Sequence, residues 1–344
     1  MVLFRCLAGV FSGTVVTVQA MVKEHSTSKT QAYAFSYFAF AGNIGIFFGP
    51  MFGGALADPA GQYGGPLKKI QFFHDYPYAL PSLAVGVVGL SAAVISAFFV
   101  EETLQSKKSA NVVTSEPPMS TWELIKSPGV ANVLSLYNVI RMLGMAYTAV
   151  VPVFWFTSVS KGGVGFTPLL ISIFLGAAGL SQSLWTLFVF PRAHDRWGTG
   201  GVLRFCGIVW PAMSLINPVC NAFLRQGWEA AFWTVMPLGP LIGSSCIMSL
   251  TSVQLALNDI SPSPAVFGTL NAVALAVSSG VRAFTPALFA SLFAAGVRGQ
   301  ILGGYLAWVV LVILALGVAV TIRFLPAKAQ GLPQKVADGE NDQE

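Results

Sequence analysis

Long uncharged stretches, each sufficient for a membrane-spanning helix of roughly 20 residues, recur along this chain of 344 residues. Hydrophobic residues make up 54% of the sequence and charged residues only 10%, whereas about a quarter of a soluble domain is charged. The 35 glycines and 20 prolines also fit membrane helices, in which neighbouring groups satisfy freed backbone atoms. A transmembrane barrel would instead show segments of about ten residues that alternate in polarity. The sequence therefore predicts an all-α membrane protein embedded in a lipid bilayer.

The apolar runs predict about nine transmembrane helices of roughly 20 residues or more. They lie near residues 1–22, 31–57, 77–100, 130–157, 167–190, 201–222, 229–256, 264–294 and 299–325. The longest polar stretch, from Glu101 to about Pro128, separates the first three helices from the last six. We therefore expect four regions, which are an N-terminal bundle of three helices (1–105), a cytoplasmic linker (106–128), a six-helix bundle (129–326) and a disordered cytoplasmic tail (327–344).

Basic residues set the expected orientation, because short cytoplasmic loops carry an excess of Lys and Arg. If the loop after the first helix is cytoplasmic, most loop cations share that side, among them Lys107, Lys108, Arg192, Arg196 and Lys328. The C-terminus is then cytoplasmic as well. The net charge of +5 is spread along the chain and forms no basic patch interleaved with aromatic residues, so we expect no nucleic-acid partner. The oligomeric state is left open.

The four cysteines and three histidines show no metal-binding pattern. Each cysteine lies in an apolar run without a Cys-x-x-Cys pair, and each histidine lies in a loop. We therefore expect no metal and no cofactor. No predicted span holds a central Asp or Glu, so the sequence offers no intramembrane set for acid/base catalysis and does not locate a proton-coupling carboxylate. These observations argue against an enzyme.

Two glycine-rich patterns lie in the first two predicted helices. The patterned residues are Arg5, Gly9 and Gly13 in the first helix, and Gly45, Gly49, Pro50, Gly53 and Gly54 in the second. Glycines four residues apart share one face of a helix and let a second helix approach closely. Pro50 removes a backbone hydrogen bond, so we expect a kinked second helix that is suited to moving against a neighbour. Arg5 is either a functional intramembrane cation or an arginine near the membrane edge.

These patterns resemble motifs of the major facilitator superfamily. The first is similar to its fourth-helix motif, and the second matches its fifth-helix antiporter motif at every fixed position. Asp195, Arg196 and Gly198 belong to a turn that resembles the Asp-Arg-x-Gly turn between helices eight and nine of that family. Residues 268–271, followed by Arg282 and Pro286, are similar to a fungal and plant branch related to zinc-induced facilitators and tetracycline-resistance-like carriers.

The resemblance implies an N-terminally truncated major facilitator fold, in which about nine helices are equivalent to helices four to twelve of the twelve-helix fold. Nothing in the sequence corresponds to helices one to three or to the first Asp-Arg-x-Gly turn. Residues 1–105 would then be a remnant of the N-terminal bundle. The chain is accordingly either a truncated version of a complete carrier or a natural remnant.

Six polar residues inside predicted spans are candidates for a substrate cavity. They are Asn138, Arg141, Gln182, Asn271, Ser278 and Arg282. Charges at such depth are costly unless they face a cavity or a partner, so this interpretation favours anionic or strongly hydrogen-bonding solutes. The alternative is that these side chains pin helices together through backbone carbonyls.

The function implied by the resemblance is secondary active transport of a small solute by alternating access, as proton-coupled export. In this scheme Asp195 and Arg196 form a cytoplasmic gate latch, whereas the alternative is a helix-capping loop with exposed charges. The expected partners are the bilayer, the solute and protons, in a plasma or vacuolar membrane. The alternative function is a truncated, non-transporting membrane remnant of such a carrier.

Overall fold

The computed structural model describes residues 14–24, 26–27, 30–56, 59–62, 70–99, 119–263 and 266–331. Every regular element within these ranges is a helix, as predicted for an all-α membrane protein. The chain divides into two compact units, of which one comprises Met1–Ala41 with Glu116–Glu344 and the other comprises Gly42–Ser115.

Ten helices of seven residues or more form the framework of the described residues. They are α1 Thr14–Glu24, α2 Gln31–Leu56, α3 Ala79–Phe99, α4 Val130–Phe156, α5 Pro168–Leu184, α6 Phe190–Arg225, α7 Glu229–Val235, α8 Met248–Asp259, α9 Phe267–Arg298 and α10 Leu306–Ile322. Shorter α-helical turns are Pro59–Gln62, Gln71–Asp75, Thr121–Lys126 and Leu238–Leu241. The 3-10 turns are Val159–Lys161, Gly243–Ile247, Ile301–Gly304 and Ala327–Ala329, and a π turn, Trp185–Val189, joins α5 to α6.

Six helical stretches of the described residues are long and apolar enough to cross a membrane. They are Gln31–Gly49, Ala79–Phe99, Val130–Phe156, Leu170–Arg225, Glu229–Asp259 and Phe267–Arg298. α10 is a shorter apolar helix of 17 residues. The run Leu170–Arg225 contains 56 residues, which as one helix would be about 84 Å long, far more than one crossing needs. Gly198 has a non-helical backbone and divides this run. The total of about nine spans stays a prediction.

The stretch predicted as one helix near residues 229–256 is irregular at its centre. α7 ends at Val235, and a short helix and a 3-10 turn precede α8. Pro237 and Pro240 lie in this interruption and cannot donate backbone hydrogen bonds. Ser181 Oγ and Trp185 Nε1 donate to the freed carbonyl of Leu241 at 2.9 and 2.7 Å. The span is therefore a discontinuous helix whose break is satisfied by its neighbour.

The core of the first unit lies among α4, α6, α8, α9 and α10. α4 packs against α9, α8 and α10, and α6 packs against α10 and α8. The buried rings of Phe154 and Trp308 meet edge-on, with centroids 5.0 Å apart. Trp155 Nε1 donates to Asn217 Oδ1 at 3.1 Å. Aromatic pairs in this geometry contribute about 0.5–1.5 kcal/mol beyond their burial, so they help to fix how the helices pack.

A hydrogen-bonded clamp joins the end of α6 to the loops that follow α4 and α9. Asn221 is fully buried, and its Nδ2 donates to the carbonyls of Val159, at 3.0 Å, and Gly163. Its Oδ1 accepts from Tyr305 Oη at 2.5 Å. A buried network whose members are satisfied makes the surrounding structure rigid. The loop before α10 is held in this way and has positive φ angles, so α10 begins at Leu306 instead of near residue 299.

Residues 325–331 run across one end of the same unit. Lys328 Nζ donates to the carbonyl of Ser261 at 3.0 Å, and the amide of Gly200 donates to the carbonyl of Gln330 at 2.7 Å. These contacts attach the segment to the α8–α9 loop and to α6. The first residues of the predicted tail are therefore ordered, and those after the segment lie outside the described residues.

The second unit contains the apolar helix α3. No side chain of α3 is buried, and Val85, Leu90 and Phe98 are strongly exposed. A helix of 21 residues with apolar side chains exposed on all sides suits hydrocarbon surroundings.

Candidate functional site

Polar groups on one face of α4 form the first part of the candidate site. The Arg141 guanidinium lies 4.4 Å from the centre of the Tyr137 ring, one helical turn away. Asn138 is 8% exposed, and its Nδ2 donates to the carbonyl of Leu134 at 2.8 Å. Asn138 Oδ1 and Arg141 Nε are buried without a hydrogen-bond partner among the described residues. Unpaired buried polar atoms are costly, so a hydrogen bond from a solute or a water molecule would stabilise both.

α9 brings a second arginine to this cluster. α9 packs along α4, and the charge of Arg282 acts on both Arg141 and Tyr137. Arg282 is exposed, and its Nη2 lies 3.4 Å from Ser279 Oγ. Ser278 is fully buried, and its Oγ has no partner within the described ranges. Two neighbouring cations repel each other, so an anionic group between them would be stabilised by both.

Asn271 belongs to a buried amide network between α8 and α9. Its Oδ1 accepts from Gln254 Nε2 at 2.8 Å, and its Nδ2 donates to the carbonyl of Phe267 at 3.1 Å. Gln254 Nε2 also donates to Asn258 Oδ1 at 3.2 Å. This bonding favours the helix-pinning role for Asn271. Sequence reasoning missed Gln254 and Asn258, although two amides four residues apart in an apolar run indicate a shared helix face.

Gln182 lies on α5, apart from the arginine cluster. Its side chain is half-buried, and its backbone carbonyl accepts from Thr186 Oγ1 at 2.8 Å. In the described part of the chain, the Gln182 side chain makes no hydrogen bond to Arg141 or Arg282. The structure therefore brings the two arginines together and leaves Gln182 as a separate candidate.

The glycine of the predicted turn has a backbone conformation that other residues rarely adopt. Gly198 has φ 68° and ψ 175°, a region that is almost restricted to glycine. A Cβ at Gly198 would lie 2.2 Å from the carbonyl oxygen of Gly331. Both the conformation and the close approach of the backbone therefore require glycine here.

The carboxylate of the same turn is bonded to α2. Tyr33 Oη donates to Asp195 Oδ2 at 2.6 Å, and Tyr33 lies in the first turn of α2. Arg196 is exposed. Sequence reasoning did not single out Tyr33, because nothing in its own stretch indicates a partner in α6. The turn thus carries a contact between two helices of the kind that a latch requires.

A second contact of this kind starts from α1. Lys23 Nζ donates to the carbonyl of Asn258 at 3.1 Å and lies 3.7 Å from the centre of the Phe267 ring. Burial lowers the pKa of Lys23, an effect that Asp259 opposes and Lys328 reinforces. A cation near the end of α8 also interacts favourably with the helix dipole. Lys23 therefore fastens α1 to α8 and α9.

The predicted glycine stripe of the second helix lies within α2. A Cβ at Gly45, Gly49 or Gly53 would meet no described atom within 4 Å. Pro50 and Gly54 lie in the same helix. The patterned residues of the first predicted helix, Arg5, Gly9 and Gly13, lie outside the described residues.

Several apolar helices of membrane-spanning length define an integral, multi-pass membrane protein. The profile of the Major Facilitator Superfamily matches residues 1–286. The efflux pump azaK of Aspergillus niger is 44% identical over 336 residues, which cover 98% of this chain and 70% of that protein. The chain therefore belongs to the Major Facilitator Superfamily, and it is a membrane transporter of a small solute, not an enzyme.

Two further relatives are more distant. The zinc-induced-facilitator-like protein 1 of Arabidopsis thaliana is 24% identical over 356 residues, which cover 96% of this chain and 72% of that protein. The major facilitator-type transporter psiT2 of Psilocybe cubensis is 23% identical over 360 residues, which cover 91% of this chain and 68% of that protein. The predicted likeness to the superfamily and to zinc-induced facilitators is confirmed.

Proposed function

We propose that this chain exports a small solute by alternating access and couples the movement to protons. It acts in the plasma or vacuolar membrane, with the C-terminus and the Asp195 turn in the cytoplasm. Export is supported by the 44% identical relative, which is named an efflux pump. The mechanism is supported above all by the hydrogen bond from Tyr33 to Asp195, because it joins α2 to the turn interpreted as a latch.

The two contacts at the cytoplasmic end are weak enough to break during transport. A hydrogen bond to a charged group contributes about 1.5–3 kcal/mol. The bonds from Tyr33 to Asp195 and from Lys23 to Asn258 therefore hold this end closed by a few kcal/mol. A solute that binds the open state better by this amount shifts the equilibrium.

Solute binding in this proposal depends on the paired arginines. Arg141 and Arg282 attract an anionic or strongly polar part of the solute. Arg141 Nε and Asn138 Oδ1 supply a further donor and acceptor, since both are unpaired among the described residues. Gln182, Asn271 and Ser278 extend the polar lining around this position.

Transport by the full chain in sealed vesicles tests the proposal. A proton gradient would be imposed, and the flux of a panel of radiolabelled organic anions would be measured against protein-free vesicles. We expect flux that a protonophore reduces at least severalfold. Flux that is indifferent to the protonophore would contradict proton coupling. Flux at the protein-free level for every solute would favour the non-transporting alternative.

A further inference from the structure

A cleft of about 320 Å³ lies between the first turns of α2 and the junction of α5 with α6. Its walls include Tyr33, Ser36 and Tyr37 from α2, and Phe188 and Arg192 from the π turn and α6. This volume is within the range of small-molecule sites, roughly 300–1,000 Å³. The cleft is separate from the arginine cluster of α4 and α9.

Three aromatic rings of the cleft are open to an incoming molecule. Tyr33 is 41% exposed, Tyr37 62% and Phe188 52%. Exposed ring faces and edges favour stacked or edge-on contact with another aromatic group. The occupant that these walls suit best is therefore flat and aromatic.

The guanidinium of Arg192 favours a negative charge on that occupant. Arg192 Nη1 donates to the backbone carbonyl of Phe188 at 2.5 Å, which fixes the guanidinium at the start of α6. The remaining N–H groups suit the planar geometry of a carboxylate. Ser36 Oγ donates to the carbonyl of Ala32 at 2.7 Å, so it leaves the binding of a carboxylate to Arg192. The nearby negative group is Asp195, which accepts from Tyr33.

We propose that this cleft binds aromatic carboxylates and that their binding opens the latch. The inference rests on the proposed function and deepens it by naming a solute class. Tyr33 belongs to both the cleft and the latch, and Arg192 lines the same cleft. A carboxylate held by Arg192 competes with Asp195 for the Tyr33 hydroxyl and repels the Asp195 carboxylate. The entering solute thereby breaks the Tyr33–Asp195 hydrogen bond, which keeps the cytoplasmic end closed.

Binding of naphthoate to the full chain in neutral phosphatidylcholine nanodiscs tests the inference, with protein-free discs subtracted. We expect Arg192→Gln to weaken naphthoate binding about tenfold, as for a lost charge-assisted bond. Arg192→Lys should retain part of the affinity. The uncharged isostere naphthamide should be insensitive to Arg192→Gln, and both ligands should weaken severalfold with Phe188→Leu. The matched control is Arg323→Gln, since Arg323 is an exposed arginine beyond α10.

Equal naphthoate affinity in the original chain, Arg192→Gln and Phe188→Leu would overturn the inference. Cyclohexanecarboxylate, a non-aromatic anion, should bind at least tenfold more weakly than naphthoate, and equal binding would also overturn it. These measurements need no transport. If the chain transports other solutes with protons but binds naphthoate equally well in all variants, the proposed cleft site is refuted and the proposed function is not. If naphthoate binding weakens in the variants as expected but the chain transports no solute, the proposed function is refuted and the cleft site is not.

Discussion

The hydroxyl of Tyr33 is a small group on which the closed latch depends. Tyr33→Phe keeps the ring and removes the donor, so the cytoplasmic end should open more readily. We expect a cysteine introduced by Ser278→Cys to react about tenfold faster with a water-soluble maleimide added on the cytoplasmic side, since a bond to a carboxylate contributes about 1.5–3 kcal/mol. The control is Tyr78→Phe, which changes an exposed tyrosine in the other unit.

An unchanged maleimide rate in the Tyr33→Phe background would mean that the hydroxyl does not hold the closed state. The native cysteines of the described residues, Cys206, Cys220 and Cys246, are buried and give a low background.

Gly198 combines a strained backbone with a close approach to another segment. Gly198→Ala should lower the free energy of unfolding by about 3 kcal/mol or more, because the conformation alone costs about 1–3 kcal/mol in a residue with a Cβ. The added Cβ would also lie 2.2 Å from the oxygen of Gly331. Gly317→Ala is the matched control, since Gly317 is in α10 and a Cβ there meets no described atom within 4 Å.

The unfolding temperatures of Gly198→Ala and Gly317→Ala would be measured in detergent and compared with that of the original chain. Gly317→Ala should be neutral or stabilising by up to about 1 kcal/mol, as helix propensity predicts. A Gly198→Ala protein that unfolds at the original temperature would show that the turn can relax.

Among the helices, those built from uninterrupted apolar runs could be placed from the sequence alone. α2, α3 and α4 end within two residues of their predicted limits, because hydrophobic length decides where such helices lie. The break between α7 and α8 was missed, since it depends on two prolines and on tertiary bonds from Ser181 and Trp185 to the carbonyl of Leu241. Sequence pattern does not show which neighbour will satisfy a backbone group.

The candidate site was predictable to a similar extent. Arg141 and Arg282 stand out in the sequence as charged residues in apolar runs, and they lie on α4 and α9, which pack against each other. Their role in a solute cavity stays a prediction. Tyr33 and Lys23 were missed because they lie at helix ends, where polar residues are ordinary. Their partners, Asp195 and Asn258, are distant in sequence and become neighbours only through tertiary packing.

The clamp around Asn221 at the end of α6 predicts how firmly this helix is attached to the loops after α4 and α9. Asn221→Ala removes the partner of Tyr305 Oη and of the carbonyls of Val159 and Gly163. We expect a loss of about 2 kcal/mol or more in unfolding free energy, because buried polar groups are left unpaired. Hydrogen exchange should accelerate in the Val159–Lys161 turn. Asn132→Ala, at an exposed position of α4, should change neither quantity, and equal exchange in both variants would contradict the clamp.

At the scale of the whole transporter, the paired arginines predict a loss of flux without a loss of protein. Arg141→Ala and Arg282→Ala should each lower the flux of an anionic solute about tenfold, since each removes one charge-assisted contact. Cell fractionation should show that both variants still insert into the membrane. Arg323→Ala serves as the control for charge alone. Normal flux in both cavity variants would remove these residues from the solute pathway.

The orientation of the chain predicts which positions share a face of the membrane. Arg196→Cys and Lys328→Cys should react with a membrane-impermeant label from the cytoplasmic side, and Lys161→Cys only from the opposite side. The assay uses intact cells and inverted vesicles in parallel. Finding positions 196 and 328 on opposite faces would overturn the topology and the alternating-access scheme that depends on it.

Gly198 and Gly331 are far apart in sequence and in contact in space. A Cβ on Gly331 would lie 2.8 Å from Thr199 Oγ1, just as one on Gly198 would reach the oxygen of Gly331. Neither position tolerates a larger residue while the other keeps its place. Substitutions at the two glycines should therefore be coupled during evolution. Lineages descended from this transporter should retain both, or replace both once the end of the chain has come away from the turn.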